Sequence, residues 1–135
     1  MPRHPDWLNR LNKVVAVHQA LPAQYGVSDC YIIADDAVEA VTGKTMHGAN
    51  ARRYKTPAGA GKQLRKRGFE TVRDAFAARF AEIPPLMAQR GDIGVYDNNG
   101  EISGGVFTAV GFMTRGTQEI VFLPPTAVLA AFRVE

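Results

Sequence analysis

The stretch YGVSDCYIIADDAVEAVTG, Tyr25 to Gly43, decides how the rest of this chain is read. Gly26 interrupts the preceding pattern, and Ser28 or Asp29 offers a side-chain oxygen to the free N–H groups of a helix start. From there Cys30, Ile33, Ala34, Ala37, Val38 and Val41 recur at helical spacing and form one apolar stripe, with Asp35, Asp36 and Glu39 expected largely outside it. The helix is predicted to run to Thr42 and stop at Gly43, a residue free to take the left-handed conformation of a helix terminus. The single cysteine of the chain falls in its first turn.

Working outward, PDWLNRLNKVVAVHQA predicts an amphipathic helix capped by Asp6, with Leu8, Leu11, Val15 and His18 on its inner stripe. A histidine on such a stripe is expected as a hydrogen-bonded boundary residue. Downstream, KTPAGAGKQLRKRG reads as a helix with Thr56 at the cap, Pro57 in the first turn and Gly68 as terminator. ETVRDAFAARFAEIPP repeats the device: Thr71 and Asp74 resemble a capping box, and Pro84 and Pro85 are expected to end the helix. After Gly91 and Asp92 the period becomes that of strands. Ile93 and Val95 alternate, Asn99-Gly100 signals a hairpin, a second turn is expected at Arg115-Gly116-Thr117, and AVLAAFRVE finishes as a short helix, a strand, or one after the other. Helices first and a small antiparallel sheet last make an α+β domain spanning residues 1–135, with no linker or internal repeat.

The totals exclude several classes. No apolar run is long enough to cross a bilayer, and the N-terminus MPRHPDW lacks a secretory leader, so synthesis in the cytoplasm is expected. One cysteine forbids an internal disulfide, and no Cys/His spacing suits zinc or iron-sulfur, so neither metal nor cofactor is expected. The net charge of +3 resides mainly in Arg52-Arg53-Tyr54-Lys55 and in Lys62 to Arg67. Lys62, Arg65 and Lys66 suit a solvated helix face, which makes nucleic acid a weaker expectation than a protein contact through Arg52, Arg53, Tyr54 and Lys55.

Cys30 is where chemistry would reside. A thiol at a helix N-terminus meets the positive end of the macrodipole, which favours thiolate, and its own N–H can serve as an oxyanion donor. Nucleophilic catalysis then needs a base on the sulfur and a third group to orient that base.

Tyr25-Gly26, Asp29-Cys30 and Gly91-Asp92, in this order, resemble the layout of the NlpC-type papain-like peptidases that cut bacterial cell-wall peptides. The combination of Asp29-Cys30, Ala34-Asp35, Thr42-Gly43, Arg53-Tyr54 and Arg90-Gly91-Asp92 is also similar to a family of small tailed-phage proteins of unassigned function, encoded among tail-tip genes. The resemblance implies a papain-like fold and a place in the virion, beside other tail-tip or baseplate proteins. It also implies a histidine on the strand after Gly91-Asp92, and there the chain departs: SGGVFTAVGF places Gly105 at the position of the base. No histidine follows His47, and His4, His18 and His47 all precede the sheet. Without the base, proton transfer worth roughly a hundredfold to ten-thousandfold is missing.

The expectation is therefore an inactive, peptidase-like structural or adaptor subunit, with Cys30 a vestigial nucleophile beside Asp29, Tyr25 and Gly105. Asp29 serves equally as a helix cap, and Asp92 is expected to secure the turn into the first strand, with Arg90 as its partner or that of a neighbouring carboxylate. The alternatives are an active cysteine peptidase or amidase using His47, and a nucleic-acid-binding phage accessory protein.

Overall fold

A computed structural model describes residues 2–115 and 119–135. Among these residues there are four α-helices, α1 (Trp7–Ala20), α2 (Cys30–Thr42), α3 (Pro57–Lys66) and α4 (Val72–Ala77). Six strands complete the fold: β1 (Glu82–Ile83), β2 (Ile93–Asn98), β3 (Glu101–Thr108), β4 (Gly111–Arg115), β5 (Ile120–Leu123) and β6 (Ala130–Phe132). All pair antiparallel in one sheet ordered β1-β6-β2-β3-β4-β5. The arrangement is α+β, helices preceding sheet, and no helix of the described residues is long and apolar enough to cross a membrane.

The central helix begins and ends where its sequence directs. Asp29 Oδ1 accepts from the backbone N–H groups of Tyr31 at 3.0 Å and Ile32 at 2.9 Å, satisfying two donors that have no partner inside the helix. Gly43 closes the helix at φ +90°. Ile33, Ala37, Val38 and Val41 are fully buried, in one core with Ile93, Val95, Val106, Met113 and Phe132 of the sheet and Phe76 of α4. Each large apolar side chain so buried contributes about 1.5–3 kcal/mol.

Two local signals realise differently. Asp6 precedes α1 without capping it, and its carboxylate instead accepts from the Asn9 amide at 2.8 Å. The capping box of α4 forms, Asp74 Oδ2 accepting from the Thr71 N–H at 3.3 Å, but the helix ends at Ala77, well before Pro84. The chain then extends, and Glu82 and Ile83 pair with Phe132 and Ala131 to make an edge strand. The tail resolves into a 3-10 turn at Pro125–Ala127 followed by strand β6, inserted between β1 and β2. The Asn99-Gly100 hairpin forms as read, both residues at positive φ (54° and 92°). Of the second turn, Arg115 ends β4, while residues 116 and 117 lie outside the described residues.

The N-terminus is tied down. Arg3, not Arg90, pairs with the buried Asp92 at 2.9 Å and donates to the Val134 carbonyl at 3.0 Å, while the His4 N–H donates to the Val41 carbonyl at 2.6 Å. Asp92 also accepts from the Gln89 N–H at 2.8 Å and the Val134 N–H at 3.0 Å, so one carboxylate secures the entry to β2 together with both ends of the chain. The far face of the sheet carries a second, smaller core of Phe107, Phe112, Val128 and Ala131.

Candidate functional site

Cys30 lies on the floor of a groove between the helices and the β2–β3 hairpin. A cavity of about 350 Å³ opens on one side, walled by Tyr31, His47, Tyr54, Leu64, Arg67 and Phe69 among others. A smaller one of about 180 Å³ opens on the other, walled by Gln24, Ser28, Asn98, Ser103 and Arg115. The two share Tyr25, Asp29, Cys30 and Glu101, so the groove crosses the cysteine. Tyr25 stands at this crossing with its ring edge toward Tyr54, centroids 6.4 Å apart.

The electrostatics of the thiol run against nucleophilic use. Burial pushes Cys30 up to about 11, and the Asp29 and Glu101 carboxylates push the same way, while the Gly104 and Tyr31 N–H groups only partly oppose them. The helix-terminus effect that favours thiolate is overridden, and at neutral pH the sulfur holds its proton. Asp29 is spent on structure: besides the helix start, it accepts from the Gly26 N–H at 2.8 Å and the Tyr54 hydroxyl at 3.0 Å.

The imidazoles are each engaged elsewhere. His4 Nδ1 accepts from the Asp6 N–H at 3.0 Å. His18 is fully buried, Nδ1 at 2.8 Å from Ser28 Oγ and Nε2 at 2.7 Å from Asp36 Oδ2. His47 shares the larger cavity with Cys30, but its Nε2 donates to the Ala75 carbonyl at 2.7 Å and its ring packs on Phe69 at 5.1 Å. Among the described residues no histidine hydrogen-bonds the Cys30 sulfur.

The position facing Cys30 from the sheet is Gly104, where a Cβ would meet the Cys30 carbonyl oxygen at 3.0 Å and the Phe76 ring tip at 2.8 Å. Gly105, taken from the sequence as the place of the missing base, looks to the other side of the sheet: a Cβ there would overlap the Met113 carbonyl and the Phe112 ring. The correction follows from strand alternation, since a one-residue step on β3 changes the face.

The tetrad offered as a contact surface also divides. Arg52 turns inward, donating to Asp35 at 3.0 Å and Asp36 at 2.5 Å, and Tyr54 is half-buried on Asp29, which leaves Arg53 and Lys55 exposed. Asp35 is the largest departure from the sequence reading, being fully buried rather than outside the apolar stripe. Its second oxygen accepts from the Met46 N–H at 2.7 Å. Burial raises the Asp35 carboxyl, whereas at Asp36 the hydrogen bonds from His18 and Arg52 outweigh burial and hold the carboxyl below its ordinary range. Ser28, His18, Asp36 and Arg52 thus form one chain of polar contacts. The first three have the order of a hydrolytic triad, yet Ser28 and His18 are buried and Asp36 is neutralised by Arg52, so the chain locks α1 against α2.

Sequence reasoning passed over Tyr31. It stacks on Phe76 at 6.3 Å, is 6% exposed, and its hydroxyl has no hydrogen-bond partner among the described residues. A buried donor left unmade costs about 1–3 kcal/mol. The only sequence signal was the tyrosine itself, which lies outside the expected apolar stripe yet is buried.

Residues 2–134 match a family model described as Domain of unknown function (DUF6950), and the chain belongs to that family. No curated protein and no solved structure matches it.

Proposed function

We propose that this member of the DUF6950 family is a structural or adaptor subunit of a bacteriophage tail tip. In this reading it has the layout of an NlpC-type papain-like peptidase without the chemistry, and it holds a segment of a neighbouring tail-tip or baseplate protein in the groove over Cys30. The phage setting rests on the motif order of the sequence. The loss of catalysis rests on one observation: the Cys30 thiol is pushed up to about 11 while each of the three imidazoles is committed elsewhere. A sulfur that keeps its proton, with no base to remove it, cannot attack a carbonyl at useful rates.

One geometric fact favours the rival reading of a working peptidase or amidase, namely that His47 lines the same cavity as Cys30. Its Nε2 would have to leave the Ala75 carbonyl to act. The test is hydrolysis of cell-wall peptides by the wild type and Cys30→Ala, together with incorporation of each into particles. The proposal expects no turnover by either protein and normal incorporation of both. Turnover lost in Cys30→Ala and His47→Ala would refute it.

A further inference from the structure

Resting on the reading of the groove as a holder of polypeptide, the larger cavity also indicates which part of a polypeptide it takes. Its inner wall is apolar, built from Leu64, Phe69, Val72, Ala75 and Ile102, and about 350 Å³ accommodates one or two residues. Two features of that wall are not apolar. Tyr31 presents a buried hydroxyl without a partner among the described residues, and a protein that needed only packing there would do better with phenylalanine. Arg67, the one Lys or Arg among the described residues that line the cavity, anchors through a single terminal nitrogen, which donates to the Gln63 carbonyl at 3.0 Å and to Gln63 Oε1 at 2.8 Å. The charges that bear most on the Tyr31 hydroxyl are, in falling order, the Asp35 carboxylate, Arg52, which pairs with Asp35, and Arg67, so among the described residues the guanidinium not already committed to a carboxylate is that of Arg67. The carboxylates on the same wall are Asp29, whose oxygens already take four donors, and Glu70 and Glu101, both exposed. We infer that the cavity between α2, α3 and α4 receives the C-terminal residue of a partner polypeptide, its apolar side chain against Leu64 and Phe69 and its carboxylate on Arg67 and the Tyr31 hydroxyl.

The occupant follows from complementarity. A bidentate guanidinium and an unspent phenol are both donors, and a carboxylate supplies two acceptor oxygens to one planar cation. An internal segment reaches Arg67 either with a neutral carbonyl or with an Asp or Glu side chain, and in the second case that residue has no apolar side chain left for Leu64 and Phe69, whereas a C-terminal residue supplies both groups at once.

The experiment titrates the intact chain calorimetrically with N-acetyl-Ala-Leu-Leu as free acid, with the same peptide as carboxamide, and with octanoate. The free acid is expected to bind at least about tenfold more tightly than the carboxamide, a preference that Arg67→Gln abolishes in a protein that still unfolds cooperatively and keeps its binding of the carboxamide. Tyr31→Phe is expected to weaken the free acid severalfold while raising the melting temperature by about 2–4 °C, because it removes the unpaired hydroxyl. Equal binding of acid and carboxamide, no binding of either, or a preference that survives Arg67→Gln would each overturn the inference. Octanoate binding as tightly as the peptide would overturn the polypeptide source in favour of a small apolar acid. Binding accompanied by cleavage would leave this inference standing and defeat the non-catalytic reading, so the two fail separately.

Discussion

Removing the Arg52 side chain tests the electrostatic account of the fold most directly. Asp35 is fully buried, and its charge is met by one backbone N–H and by Arg52 at 3.0 Å. In Arg52→Ala the N–H remains, but a carboxylate in the core loses its counter-charge, and Asp36 loses half of its support. Stripping one partner from a buried pair costs about 3–5 kcal/mol. Water reaches Arg52 and Asp36, whose side chains are 24% and 26% exposed, which places the expected loss near the lower end, about 3 kcal/mol. For a domain of this size that is a fall of about 10 °C in melting temperature. The assay is thermal and urea denaturation followed by circular dichroism, with an unchanged urea slope showing that the same two states are compared. Arg52→Ala combined with Asp35→Asn should recover at least half of the loss, because the amide carries no charge to strand. A melting temperature within about 3 °C of wild type in Arg52→Ala, or no recovery in the double variant, would show that Arg52 is a surface residue after all.

Alkylation of Cys30 by iodoacetamide should be about a hundredfold slower in the native protein than in urea at pH 8, since raising a thiol from 9.0 to about 11 removes two decades of thiolate; equal rates would contradict the burial argument. Gly105→Ala should destabilise more than Gly104→Ala, because the first meets a backbone carbonyl and the second chiefly a ring tip, and neither Gly104→His nor Gly105→His should confer hydrolysis of cell-wall peptides. A folded, active His variant at either position would refute that geometry. Asp36, held below its ordinary 3.8, contributes stability that is fully present above that value and lost as pH falls through its native titration. Asp36→Asn should therefore flatten the acid limb of the stability–pH curve, whereas Asp35→Asn, at a group raised by burial, should remove a contribution of the opposite sign; identical curves for the two variants would refute the assignment.

What the sequence disclosed was what neighbours in the chain decide. The Asp29 cap, the Gly43 stop and the Asn99-Gly100 hairpin depend on residues within a turn of one another, and each forms where it was read. Asp35 was misread because periodicity assigns a charge to the outside, and the guanidinium that allows it inside arrives from 17 positions along the chain. The same distance effect hid the Arg3–Asp92 pair, 89 positions apart, and the insertion of β6 between β1 and β2. Gly105 was matched to a motif by counting, and on a strand an error of one residue exchanges the two faces. The sequence shows a tyrosine at position 31 but not that its hydroxyl lacks a partner among the described residues, since an absent partner is visible only in three dimensions.

The carboxylate that gathers both ends of the chain has a topological consequence. Arg3 and Val134 meet at a single hydrogen bond of 3.0 Å, so the polypeptide is already close to a closed ring. A linker of a few residues joining the two ends would restrict the unfolded chain far more than the folded one, and new ends opened at Asn99-Gly100 would cut an exposed hairpin tip instead of the core. A circular permutant of residues 1–135 built in this way should fold.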